Sequence, residues 1–442
     1  MPLHRFLAVL LLLSLALTGC NPGAAPTPPA SATPEATATT PPSPTPRMTT
    51  EIQELRLLAG PQAGDWRVVG LVANRSSFAV RGVDLRVVLE GAAGTVLAEQ
   101  LVPLALTNLA PGEVSPFTAR FAETWVSATS ARAEVIGYRG ARFTRTSISA
   151  GELQRVPSIE GGEVILGELT NSSGTPVDID GMALLALDAD GQPSGLAVPT
   201  VLLSHLEPGQ SSPILALLEP GIEAVELSSF VDAVAAAAMA PVPLSFPEPP
   251  TVQLDAQGDP FVLGSIKNEG STYRWASFIV RVSLVGEMVA AVEVLPPVPL
   301  GPGETRPFSV TDLPGLAALL EGREWIPEDL AVEAVVDPRA SSVYRAPTEV
   351  LGLELYSFEP IGGSLFLRGR VTNDQAAAVE GPVVLASIRT TEGRLVAAGW
   401  LVAAEALEAG ASADFVLALT LPRGADLAMS EYDVLAVALP GQ

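Results

Sequence analysis

Beyond residue 46 the chain runs in short stretches that alternate apolar with polar or small residues. Gly, Pro, Asn or Asp interrupts them about every 8–12 residues, the cadence of strands joined by turns. Val83-Asp84-Leu85-Arg86-Val87-Val88-Leu89 and Phe278-Ile279-Val280-Arg281-Val282-Ser283-Leu284 have the period of two that a half-buried strand requires. Further strands are expected at Ala133–Tyr138, Ala224–Phe230, Leu330–Val336 and Tyr432–Leu439, with Gly-bearing turns at Gly91–Gly94, Asp188–Gly191, Gly286 and Glu392-Gly393. Helix is expected only over the alanine-rich Val231–Met239 and over Leu316–Glu321.

This grammar recurs four times. The sequence contains six asparagines, and four of them end the pattern Gly, any residue, aliphatic, any residue, Asn. The pairs are Gly70 and Asn74, Gly167 and Asn171, Gly264 and Asn268, and Gly369 and Asn373, with asparagine spacings of 97, 97 and 105 residues. An apolar pair or alternation precedes each glycine: Val68-Val69, Ile165-Leu166, Val262-Leu263 and Phe366-Leu367-Arg368. A second landmark follows each asparagine by 38, 38, 35 and 37 residues: Pro111-Gly112, Pro208-Gly209, Pro302-Gly303 and the degenerate Ala409-Gly410. Pro-Gly suits the two central positions of a type II turn. Beyond it stand Phe117, Ile214, Phe308 and Phe415. Asn can bond its own backbone two residues on and tolerates positive φ, so it is expected to turn the chain.

About seven short strands per unit predict an all-β protein of four tandem antiparallel immunoglobulin-like sandwiches. The expected repeats are 49–149, 150–240, 241–346 and 347–442, joined by prolines (Pro241, Pro243, Pro347) into a string of stiffly linked modules.

The N-terminal 19 residues read as a signal peptide: a basic start at His4-Arg5, then an apolar run from Phe6 to Leu17, too short for the roughly 20 residues of a membrane span. It ends in Leu17-Thr18-Gly19-Cys20, which resembles the lipobox of bacterial lipoproteins, where cleavage precedes a cysteine that becomes lipidated. Cys20 is the only cysteine in the chain. Residues 20–48 hold that cysteine and a tether. From Asn21 to Pro46, 23 of 26 residues are Ala, Pro, Ser or Thr, too few apolar groups to offset ordering entropy, so the tether is expected to be disordered. Proline biases it toward polyproline II, with a contour of roughly 80 Å. The localisation implied is extracytoplasmic, on the outer face of the cell membrane or on an outer membrane, with the membrane as partner through Cys20.

The Gly-x-aliphatic-x-Asn strand, the alternating strand ending in an acidic or glycine turn, and the Pro-Gly-Glu turn before Pro-Phe resemble the FxLYD-type domain of envelope lipoproteins. The resemblance covers most of each repeat. The eponymous Phe-x-Leu-Tyr-Asp is approximated only by Ala183-Leu184-Leu185-Ala186-Leu187-Asp188. It implies an immunoglobulin-like sandwich outside the cytoplasm with a binding or structural role, and no catalytic residue comes with it.

Composition narrows the chemistry. A net charge of −24 opposes nucleic acid, whose phosphates need a basic face. One cysteine excludes intrachain disulfides and multi-cysteine metal sites. After signal cleavage His205 is the last histidine, and before Glu207-Pro208-Gly209 it reads as a half-exposed structural residue. Spacing singles out no carboxylate pair for glycoside hydrolysis, so neither an enzyme nor a cofactor is expected. Asp178, Asp180, Asp188 and Asp190 lie within 13 residues and form the one weak calcium candidate, although turn chemistry explains the Asp-Gly pairs better. Tyr273 and Trp275, expected in a turn, are the candidate ligand contacts. The reading is a non-catalytic display protein contacting envelope proteins or polysaccharide. Its alternative is a solute- or glycan-binding lipoprotein with a site between domains, near the joint Pro241–Pro250.

Overall fold

The period-two runs form strands, and the strands form eight antiparallel sheets in the computed structural model of the chain. It describes residues 48–440 apart from 61, 123, 124, 126, 159, 160, 315, 321–324 and 347. The expected signal peptide, the expected lipobox with Cys20 and the expected tether up to residue 47 lie outside the described residues. What is described is all-β: four immunoglobulin-like sandwiches of two sheets each. The expected helix at Leu316 is present over Leu316–Leu320.

Each repeat builds its first sheet around the asparagine strand: Trp66–Asn74, Glu163–Thr170, Pro260–Asn268 and Ser364–Thr372. On one side lies a lead strand (Thr50–Ala59, Gln154–Pro157, Thr251–Leu254, Gly352–Ile361), on the other a return strand (Val114–Phe121, Ser211–Leu218, Thr305–Val310, Ser412–Thr420). The second sheet has a central strand (Val80–Gly91, Val177–Leu187, Phe278–Leu284, Val379–Thr390). It is flanked by a hairpin strand (Val96–Pro103, Pro193–Ala197, Glu287–Val294, Leu395–Val402) and a late strand (Ala128–Gly140, Glu226–Ala235, Leu330–Val336, Ser430–Pro440).

The glycine of the motif is set by packing. Gly70, Gly167, Gly264 and Gly369 stand directly opposite Phe117, Ile214, Phe308 and Phe415 in the register. A Cβ on Gly264 would meet the Phe308 ring at 2.5 Å, and one on Gly369 the Phe415 ring at 2.8 Å. The bare backbone is thus the floor on which the largest core side chain lies. Two residues earlier, on the same face of the strand, Val68, Ile165, Val262 and Leu367 are wholly buried.

The asparagine does more than turn the chain. All four are 0 % exposed, and none has the positive φ that its residue type permits. Asn74 Oδ1 accepts the Ser76 N–H (3.0 Å), while Nδ2 donates to the carbonyls of Phe78 and Leu109 (both 3.0 Å). Its main chain closes the circuit, since Asn74 N–H donates to Glu113 O and Gly112 N–H donates to Asn74 O. Asn171 repeats the set with Ser173, Thr175, Leu206 and the Pro208-Gly209 turn. Asn268 does so with Gly270, Thr272, Leu300 and Gly303, and Asn373 with Gln375, Ala377, Leu407 and Gly410. One buried asparagine therefore ties its own loop and the leucine segment through its side chain, and the Pro-Gly turn through its main chain. The turn is type II as expected, with φ of +82, +80, +72 and +76 at Gly112, Gly209, Gly303 and Gly410. Glu113, Gln210 and Glu304 cap it from inside, each side chain accepting the N–H of the turn's first residue.

Two expectations change. Val231–Met239 is not helical: Glu226–Ala235 is the late strand of the second repeat, paired along Val177–Leu187. Alanine's helix preference amounts to tenths of a kcal/mol per residue, and a full row of sheet hydrogen bonds outweighs it. The repeats are also more than modules on proline joints. The outer face of each first sheet packs on the second sheet of the next repeat. Val69 and Leu71 meet Leu185, with Leu196 and Phe230 beside them. Ile279, Met288 and Ala291 join the core of the second repeat. Val298 meets Val383, Val437 and Trp400. The eight sheets are therefore layered in one order, from the second sheet of the first repeat to the asparagine sheet of the fourth.

The ends of the stack differ from its interior at one register position. The residue before the motif glycine points outward. It is Val69, Leu166 and Leu263 in the first three repeats, at 0, 1 and 3 % exposure, and Arg368 in the fourth. Arg370 follows it, paired with Asp414 at 2.8 Å. At the other end, Arg86–Glu134 (2.6 Å) and Arg132–Glu90 (2.8 Å) cover the free face. Charged outer faces of this kind stop a repeat stack from propagating.

Removing the clamp amide leaves buried carbonyls unpaired at about 1–3 kcal/mol each. Asn171→Ala is therefore expected to lose about 3 kcal/mol or more in urea unfolding, against less than about 0.5 kcal/mol for the exposed Asp190→Ala. An equal response of the two variants contradicts the clamp. Arg368→Leu with Arg370→Leu is expected to give concentration-dependent association in sedimentation velocity that the parent chain lacks.

Candidate functional site

The predicted site residues separate rather than converge. Tyr273 and Trp275 are half-buried, and their segment is not a turn. Trp275 exchanges main-chain bonds with Ser342, and Tyr344 N–H donates to Tyr273 O, so the segment is paired like a strand end. The Trp275 ring packs edge-on against Tyr344 with centroids 6.0 Å apart, and Tyr273 lies against Gly301. Both are engaged in packing within the third repeat.

Three of the four aspartates make separate side-chain contacts, and Asp190 enters only through its main-chain N–H. Asp188 Oδ1 accepts the N–H groups of Asp190 and Gln192, which builds its own turn, and Oδ2 pairs with Arg56 of the first repeat at 2.6 Å. The Arg56 hydrogen bond holds the Asp188 carboxyl below its ordinary range. Asp180 accepts from Asn108 at 2.9 Å. Asp178 lies 2.7 Å from His205 Nδ1. Among the described residues no three His, Cys, Asp or Glu side chains gather as a metal site would require. His205 is 2 % exposed, not half-exposed. It occupies the position before the clamped leucine, and its second nitrogen faces Glu207 at 3.4 Å. Both ring nitrogens are thus turned to carboxylates.

Polar chemistry concentrates where repeats meet. Arg145, on the segment crossing from the first repeat to the second, grips both Glu113 oxygens through Nε and Nη2 at 2.6 Å. Nη2 also donates to Asn108 O at 2.6 Å, and Nη1 donates to Asp232. Asp232 is wholly buried and takes the Asn108 main-chain N–H at 2.6 Å and its side-chain amide at 3.0 Å. Burial pushes the Asp232 carboxyl above its usual range against the pull of Arg145. Burial also works to raise Glu113, but the Arg145 fork and the Ala110 N–H outweigh it and hold that carboxyl low. Further along the same contact, Glu219 of the second repeat binds Arg67 at 3.2 Å and also Arg120. Between the second and third repeats, Arg281 pairs with Glu168 at 2.5 Å.

The third and fourth repeats meet differently. Their contact is drawn to one side, where Arg423 N–H donates to Leu254 O (2.7 Å) and Gln257 Nε2 to Gly362 O (3.0 Å). Gly363 comes so close that a Cβ there would lie 2.4 Å from the Ala256 methyl. The rest of the junction opens into a cleft of about 1010 Å³. Its third-repeat wall carries Glu248, Thr251, Gln253, Ser265 and Thr305. The fourth-repeat wall is the turn between the central and hairpin strands, Arg389–Arg394, and the loop Pro422–Asp426. No aromatic residue lines it. Pro247 and Pro249 stand at its edge, but the proline joint they belong to, marked in the sequence for an interdomain site, connects the second and third repeats, whereas the cleft opens between the third and fourth. Its arginines carry no sequence motif, and only the folded chain brings them to one place.

Arg145→Ala leaves Asp232 buried without its cation, a change that costs about 3–5 kcal/mol when a buried pair loses one partner. The expected outcome in calorimetry is a lower-temperature transition for the first two repeats, whereas Arg75→Ala at an exposed pair shifts little. A single unshifted transition in Arg145→Ala counts against the clamp between repeats.

No family model matches the chain, and no curated protein matches it. Among solved structures it is similar to red sea bream transglutaminase at 11 % identity, covering 66 % of this chain and 41 % of that one (TM-score 0.16). It is similar to trypsin-activated alpha-2-macroglobulin from Escherichia coli at 12 % identity, covering 89 % and 31 % (TM-score 0.13). With the BSP domain of a biofilm associated protein the identity is 8 %, covering 91 % and 96 % (TM-score 0.12). The chain thus spans less than half the length of the first two proteins. The scores are too low for fold or activity to be inferred from these likenesses.

Proposed function

We propose that this chain is a non-catalytic, lipid-anchored envelope protein that holds a stiff stack of sandwich modules away from a bacterial membrane. The observation that carries the reading is the placement of the chain's only cysteine, Cys20, behind Leu17-Thr18-Gly19 at the end of a short apolar run. Two or three acyl chains on one cysteine give stable attachment, since each buried methylene contributes roughly 0.8 kcal/mol. The proline-rich tether then sets the reach, and the apolar contacts between successive repeats give the stiffness. Such a stack contacts envelope proteins or polysaccharide through its loops and junctions. No helix of the described residues is long and apolar enough to cross a membrane, so the lipid is the attachment this reading relies on. A second reading, a solute- or glycan-binding lipoprotein, is favoured by one observation, the polar cleft between the third and fourth repeats.

The full chain expressed in a lipoprotein-processing bacterium is expected to incorporate labelled palmitate and to partition with membranes. Cys20→Ala should abolish both. Label retained in that variant would sink the proposal.

A further inference from the structure

We propose that the cleft between the third and fourth repeats is a binding site for an acidic glycan, one carrying carboxylates at intervals along a hydroxyl-rich chain. The proposal extends the polymer-contacting part of the reading above and does not depend on the anchor.

Charge is the first argument. Of the 21 arginines among the described residues, 13 stand in ion pairs. Eight do not, and three of those eight, Arg389, Arg394 and Arg423, line this one cleft. In a chain with 49 acidic residues and 25 basic ones, cations without carboxylate partners are scarce, and their gathering in a concave surface needs a reason. A guanidinium fork takes a carboxylate in two parallel hydrogen bonds, which matches an anion rather than a neutral ligand.

The geometry is built before any ligand arrives. Arg389 Nη1 donates to the Gly393 carbonyl at 3.0 Å within its own turn. Gly393 N–H closes that turn on Thr390 O, and Thr391 N–H donates to Met429 O. Arg423 is the second residue of a Pro-Arg-Gly-Ala turn closed by Ala425 N–H on Pro422 O, and its own N–H docks the turn on the third repeat. The three side chains thus hang from two braced turns facing a wall of hydroxyls and an amide.

The remaining lining chooses among anions. Glu248, Glu392 and Asp426 share the cleft with the arginines. Interleaved carboxylates repel a densely charged polymer such as polyphosphate or nucleic acid, yet they accept hydrogen bonds from sugar hydroxyls. The absence of an aromatic platform removes the stacking on which neutral sugars and unpaired bases rely. A glycan with one carboxylate per sugar presents the complement: charge at intervals, hydroxyls between.

The test is isothermal titration of the full chain in detergent micelles with a galacturonic acid oligosaccharide, its methyl ester and a polyphosphate. The acid form is expected to bind, with affinity falling as salt rises, and the ester to bind at least about tenfold more weakly. Each of Arg389→Gln, Arg394→Gln and Arg423→Gln should weaken binding about tenfold, at an unchanged unfolding temperature. Arg81→Gln, an unpaired arginine of the first repeat, should leave binding unchanged. Absence of binding by the acid form overturns the proposal, as does equal binding of the ester, tighter binding of polyphosphate, or binding that survives the triple arginine variant. No membrane enters the titration, so its failure is separate from a failure of palmitate labelling.

Discussion

Each sandwich depends on a single buried amide. Asn74, Asn171, Asn268 and Asn373 supply at least two donated and one accepted side-chain hydrogen bond apiece, and their main chains hold the Pro-Gly turn as well. The segments so tied lie about 35 residues apart in the chain. A loop end buried in an apolar core must satisfy its backbone groups within the protein, and a fully bonded asparagine does so where water has no access. The motif glycine and the facing phenylalanine, or Ile214 in the second repeat, then fill the space beside it. Without the amide, the leucine carbonyl and the loop carbonyl would each be left unpaired.

A second constraint acts between repeats. Twice, an outward row of apolar residues on the asparagine sheet is covered by the second sheet of the next repeat, and at the third junction Val298, from the loop ahead of the return strand, meets Val383, Val437 and Trp400. The stack is therefore continuous in its packing, and ion pairs at the rim fix the register. Arg145 and Asp232 represent the most buried of these, and burial has the larger say in the carboxyl's titration. Where the third junction is drawn to one side, the uncovered remainder becomes a cleft. The same tilt that opens this space delivers arginines to it.

Much of this was legible in residues. The asparagine and Pro-Gly landmarks place the strands, and Phe278–Leu284 and Leu330–Val336 are strands to the residue. The leucine before each turn, Leu109, Leu206, Leu300 and Leu407, was as regular as the asparagine, and it is the residue whose carbonyl the asparagine holds. Arg368 in place of Val69, Leu166 and Leu263 was equally visible, a local sign that the last sheet faces solvent. Composition misled at Val231–Met239, where alanine suggests helix but the neighbouring strand decides. It misled again at His205, whose polar neighbours suggest exposure although its ring is enclosed by the fold.

The amino-acid sequence by itself determined the fourfold strand grammar and the type II turns, because these rest on local preferences and fixed spacings. Tertiary structure alone decided which carbonyls the asparagines hold and which aspartates stay apart. It also decided that three arginines from two separate turns share one cleft. Those outcomes depend on the angle at which one sheet settles on the next. That angle is set by side chains from two repeats about a hundred residues apart, and no local pattern encodes it.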